Sequence, residues 1–104
     1  MVMAMQNDVD EALPREVVCT GPLLCVSRLE PDKGVDMLLT AFGLLSEDRP
    51  ALLLEIIGDG PFAPALRRQA RDLGLEDRVH FRGALPIAEV RTALRRCAML
   101  VLPC

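Results

Sequence analysis

Arg28 and Lys33 are the residues of this sequence best placed to do chemistry. They flank a turn, Leu29-Glu30-Pro31-Asp32, that lies between the apolar run Leu23-Leu24-Cys25-Val26 and a stretch of helical spacing opening after Gly34. A short continuous apolar run closed by a proline turn reads as a buried parallel strand, so both cations are predicted where a strand passes into a helix. Open α/β sheets bind ligands at the carboxyl ends of their strands, and a helix N-terminus adds unpaired N–H groups and a positive dipole end. Two cations there suit a diphosphate. An isolated arginine and lysine in a surface turn are ordinarily just solvated; the strand, turn, glycine and helix around them make the pair a candidate clamp.

Positioning that clamp takes an alternation of strands and helices. Val35, Leu38, Leu39, Phe42 and Leu45 recur at helical spacing, with Asp36, Thr40, Ser46 and Glu47 largely on other faces. Leu52 to Ile57 is a second apolar strand, closed by Gly58-Asp59-Gly60-Pro61. Pro61 suits a first helical turn, after which Phe62, Leu66, Ala70 and Leu73 form a second stripe, stopped at Gly74. Val79-His80-Phe81-Arg82 alternates as a third strand ending at Gly83, with His80 on its less buried side. Ile87, Val90, Leu94 and Cys97 mark a third helix whose Arg91, Arg95 and Arg96 point to solvent, and Met99 to Leu102 is a fourth strand.

The pattern predicts an α/β fold: a Rossmann-like three-layer sandwich with a four-stranded parallel sheet in the order third, second, first, fourth. The fourth strand then lies beside the first, near Arg28. Its outer edge is expected to be uncovered, which predicts a homo-oligomer joined through strand 99–102.

With 104 residues the chain makes one domain. Residues 1–16, in which Met1, Met3 and Met5 alternate with small residues before Asn7-Asp8-Val9-Asp10, read as a strand or arm and then a linker into a domain spanning 17–104. A net charge of -3 and 3% aromatic residues argue against a nucleic-acid partner. Cys19, Cys25, Cys97 and Cys104 lack metal-ligand spacing, and His80 is the only histidine, so neither a metal nor another cofactor is expected. No apolar run approaches the ~20 residues of a membrane span, and the start lacks a basic signal-peptide region. These features predict a cytoplasmic protein.

Ser27-Arg28-Leu29 through Lys33-Gly34-Val35-Asp36 resembles the donor-domain signature of the retaining glycosyltransferases of family 4, which have the GT-B fold. Gly58-Asp59-Gly60-Pro61 is similar to that family's turn after the second donor-domain strand, and Val79-His80-Phe81-Arg82-Gly83 to the strand before its nucleotide-base loop. The resemblance covers residues from about Gly21 to Pro103. It implies that Arg28 and Lys33 bind the diphosphate of a UDP-, GDP- or ADP-linked sugar and steady the leaving group. It implies that Ser27 and Gly58 lie beside the donor, and that Gly83, Ala84 and Leu85 lie against the base.

Two parts of the family pattern are missing: the glutamate pair that contacts sugar and ribose, and the acceptor-binding domain. The resemblance therefore implies a fragment of a donor domain, inactive alone, from an enzyme of cell-envelope polysaccharide synthesis, peripheral at the inner face of the membrane. A flavodoxin-like regulatory or interaction module is the other reading of the alternation. A receiver of that class would carry acidic residues where this chain has Arg28.

Overall fold

The computed structural model describes residues 2–5 and 21–102. Five strands, β1 (Val2–Met5), β2 (Leu23–Val26), β3 (Leu54–Ile57), β4 (Val79–Gly83) and β5 (Met99–Leu102), form one sheet in the order β1-β5-β2-β3-β4. Three helices, α1 (Val35–Asp48), α2 (Ala63–Asp72) and α3 (Ile87–Arg96), connect the strands from β2 onward. β2 pairs in parallel with both β3 and β5, and β4 pairs in parallel with β3, so the four parallel strands stand in the predicted order. The expectations for Asn7 to Asp10, for residues 17–20, and for Pro103 and Cys104 fall outside the described residues.

Alternation within the strands separates two apolar layers. Leu23, Cys25, Leu54, Ile56, Val79 and Val101 face α1 and α2, where they meet Val35, Leu38, Leu39, Phe42, Leu66 and Ala70. Leu24 and Ile57 turn to the opposite face and pack with Ala93 and Cys97 of the α3 segment. Because β2 is covered on both sides, it reads as an unbroken apolar run, and β3 does so except at Glu55.

One expectation is overturned. The strand Met99–Leu102 is not an open edge, because β1 runs antiparallel to it with Val2 opposite Leu102 and Met5 opposite Met99. The edge N–H and C=O groups that invited a second copy are paired within the chain. Intramolecular pairing avoids the translational entropy lost on association. An oligomer joined through strand 99–102 therefore loses its physical basis.

Smaller differences follow from packing. Ser46, assigned by spacing to a polar face of α1, is buried, and its hydroxyl donates to the Gly43 carbonyl at 2.9 Å. Leu45, assigned to the apolar stripe, is exposed. Pro61 precedes α2; Pro64 occupies its first turn instead. Leu73 also faces solvent, and Leu75, just past the helix, takes its place in the core. Ile87 is 67% exposed because the first turn of α3 lies over the strand ends, where Val90 is the residue that finds partners.

Candidate functional site

The loops leaving β2 and β3 run side by side as a continuation of the parallel ladder. Ser27 N–H donates to the Ile57 carbonyl at 3.0 Å and Leu29 N–H to the Asp59 carbonyl at 3.1 Å. Gly58 N–H donates to the Gly83 carbonyl at 2.8 Å, which ties in the loop after β4. Glycine is required at position 58: its φ is +141°, and a Cβ there would overlap the Ser27 carbonyl oxygen. Three strand ends are thereby held together by backbone, and side chains need only line the space above them.

That space is an open cleft of ≈ 400 Å³ lined by Ser27, Arg28, Gly58, Asp59, Ala84 and Leu85, with Val26, Ile57 and Val90 as its apolar floor and wall. Of the residues predicted as a site, Ser27, Arg28, Gly58, Ala84 and Leu85 thus come together. Gly83 contributes through its carbonyl. Lys33 is not among the lining residues; it ends a short 3-10 turn, Pro31–Lys33, where its backbone N–H donates to the Glu30 carbonyl. A flexible four-carbon stem is all that could carry its ammonium to the cleft.

The chemistry of the cleft lip is set by Arg28. Its side chain is 71% exposed, and Nε donates to Glu30 Oε2 at 2.7 Å. Sequence reasoning passed over Glu30. The available signal was its place two residues from Arg28 in an extended segment, which puts both side chains on one face. Asp59 was also missed; its carboxylate accepts from Gly60 N–H at 2.8 Å and rigidifies the loop.

Behind the cleft, β3 carries a buried carboxylate that its apolar neighbours concealed. Glu55 Oε2 accepts from Arg82 at 3.0 Å, and Oε1 lies 3.6 Å from Arg96. Arg96 is thus not merely solvated, as its spacing suggested. Arg82 occupies a register irregularity in which Ile57 lies opposite Gly83, and a bulge of this kind re-aims a side chain. Burial pushes the Cys97 thiol above its ordinary range, and the nearby Glu55 charge adds to that push.

Glu55 Oε1 is buried without a hydrogen bond, so the carboxylate is incompletely compensated. Glu55→Met is accordingly expected to stay within about 1 kcal/mol of the parent stability, since it removes the desolvation cost along with the pair. Arg82→Ala keeps the buried charge and should cost more, about 1–3 kcal/mol. Urea unfolding of the two variants decides the order; a larger loss for Glu55→Met would mean that the ion pair is a net stabiliser.

The comparisons with known proteins bear on this arrangement. Residues 21–104 match the model of the family described as glycosyl transferases group 1. The chain belongs to that family. It is 37% identical over 82 residues to the GDP-mannose-dependent alpha-(1-6)-phosphatidylinositol monomannoside mannosyltransferase of Mycolicibacterium smegmatis, an alignment covering 79% of this chain and 22% of that protein. It is 36% identical over 72 residues to the alpha-monoglucosyldiacylglycerol synthase of Streptococcus pneumoniae, covering 69% of this chain and 16% of that one.

Among solved structures, the pneumococcal O-GlcNAc transferase GtfA in complex with UDP and GlcNAc superposes with a TM-score of 0.66 at 24% identity, over 72% of this chain and 15% of that chain. Anabaena HepE in complex with UDP and glucose gives 0.57 at 29% identity, over 70% of this chain and 21% of that chain. The fold is that of GT-B glycosyltransferases. The group 1 chain described here spans about a fifth of the length of the first relatives it matches. Among the described residues no helix is long and apolar enough to cross a membrane.

Proposed function

We propose that this chain is the diphosphate-binding part of the donor domain of a family 4 glycosyltransferase. The parent enzyme would transfer a sugar from a nucleotide-diphosphate donor to a hydroxyl acceptor with retention at the anomeric carbon. The observation that carries the reading is the cleft itself: Arg28 at its lip, the backbone of Gly58 against Ser27, and Ala84 and Leu85 opposite. A guanidinium at the lip of a cleft in which Gly58 presents only backbone can meet a diphosphate closely. Negative charge grows on the diphosphate as the glycosidic bond breaks, and donors already aimed at it stabilise that charge without reorganising.

In this reading Arg28 and Lys33 are the leaving-group cations, Lys33 reaching in from the adjacent turn. Ser27 and the backbone of 83–85 border the nucleotide. One named relative is a mannosyltransferase for a phosphatidylinositol monomannoside and the other makes an alpha-monoglucosyldiacylglycerol, which supports a lipid-borne acceptor and, with it, work at a membrane surface. The acceptor would bind a domain outside this chain, so the chain alone binds donor without turning it over.

The test is a titration of the chain with UDP, GDP and ADP, each beside its nucleoside, followed by amide chemical shifts. Diphosphates are expected to shift residues 27–30 and 58–60 at concentrations where the nucleosides do not. Equal responses to uridine and UDP, guanosine and GDP, and adenosine and ADP would overturn phosphate recognition.

A further inference from the structure

The contact between Arg28 and Glu30 is built into the backbone. Leu29, between them, is 1% exposed and fixed at both ends, its N–H on the Asp59 carbonyl and its carbonyl accepting from Phe62 N–H at 2.9 Å. Pro31 restricts the residue before it to extended backbone, and Glu30 sits at φ -125°, ψ 155°. With Leu29 pointing inward, Arg28 and Glu30 must both project outward, toward the cleft lip. The carboxylate is the better anchored partner, at 30% side-chain exposure against 71% for the arginine. Asp59, lining the same cleft, adds a second negative charge.

We infer that Glu30 is a specificity-determining residue that disfavours the free nucleoside diphosphate relative to the nucleotide-sugar, and so hastens product release. The inference rests on the donor-binding reading above. Glu30 occupies the Nε side of the guanidinium, a position one arm of a bidentate phosphate contact can use, and among the described residues the terminal nitrogens are left open. A ligand phosphate at those nitrogens lies close to the Glu30 carboxylate and is repelled by it. Like charges at such separations, near a protein surface, shift affinities measurably. At mildly alkaline pH the product diphosphate carries one more negative charge than the glycosylated donor, because its terminal phosphate is no longer esterified. Repulsion from Glu30 is therefore greater for product than for donor. Lys33 and Arg28 attract both.

The experiment compares the unaltered chain with Glu30→Gln, which keeps the shape and an acceptor oxygen but removes the charge. UDP, UDP-glucose and uridine are titrated at pH about 8 and low salt, where surface electrostatics are least screened, with GDP, GDP-mannose and guanosine as the parallel set. Glu30→Gln is expected to tighten nucleoside diphosphate binding about three- to tenfold, the nucleotide-sugar less, and the nucleoside not at all. The difference should disappear at about 1 M salt. Glu30→Ala should behave alike in direction. Unchanged or weaker diphosphate binding in both variants would overturn the inference, and so would equal tightening of diphosphate and nucleotide-sugar. Failure of every phosphate ligand to bind the unaltered chain would instead overturn the donor-binding reading on which it depends.

Discussion

Gly58→Ala is expected to destabilise the chain by about 3 kcal/mol or more, the largest effect of any single methyl addition at the cleft. Two costs combine. The residue sits at φ +141°, where an L side chain is strained, and the new Cβ would overlap the Ser27 carbonyl oxygen. That oxygen belongs to the loop held by Ser27 N–H to Ile57 and Leu29 N–H to Asp59, so it cannot retreat without breaking ladder hydrogen bonds. Gly74→Ala is the internal control: its φ of +73° brings strain, but a Cβ there meets nothing within 4 Å. It should cost only about 1–2 kcal/mol. Denaturant unfolding of both variants separates strain from overlap. Equal losses would mean that the two loops can part freely, and the rigid backbone cradle inferred for the cleft would be wrong.

Arg28→Ala is expected to weaken nucleoside diphosphate binding by about 1.5–3 kcal/mol, as for loss of a hydrogen bond to a charged group, with no loss of stability. The side chain is mostly exposed and, among the described residues, pairs with Glu30 alone at the surface, so folding owes it little. Lys33→Ala should cost less in the isolated chain, because Lys33 lies outside the lining and must extend to contribute. Its ammonium has more rotamer freedom to lose than the planar guanidinium for each hydrogen bond formed. Calorimetric titration of the two variants with UDP and GDP gives the comparison. Full affinity in Arg28→Ala would remove the phosphate role from this cleft.

Local pattern was sufficient for the alternation of elements, because the apolar runs of β2 and β5 and the helical stripe of α1 each report their own burial. It was also sufficient to put Arg28 at a strand end, since a turn proline so soon after an apolar run leaves few other places for it. The strand order followed from taking the alternation to have Rossmann topology, an assumption about connectivity that needs no knowledge of side chains.

What lay beyond the sequence was every feature that depends on two distant segments meeting. Antiparallel pairing of β1 with β5 joins the two ends of the chain, and nothing in Met99 to Leu102 says whether its edge will be met from within. Glu55 was counted within an apolar strand, and its partners come from distant segments, Arg82 across the bulge at Ile57 and Arg96 at the end of α3. Spacing misassigned Leu45 and Ser46 because a helical stripe predicts which side faces the sheet, whereas the helix end and its neighbours decide which side chain is covered there. The cleft is the same kind of object. Its glycine could be read as a turn, but only the fold shows that the turn passes against the Ser27 carbonyl, and only the extended path through buried Leu29 turns Glu30 toward Arg28. Periodicity records what one residue does relative to its chain neighbours; contact between loops is fixed by the sheet register that holds them.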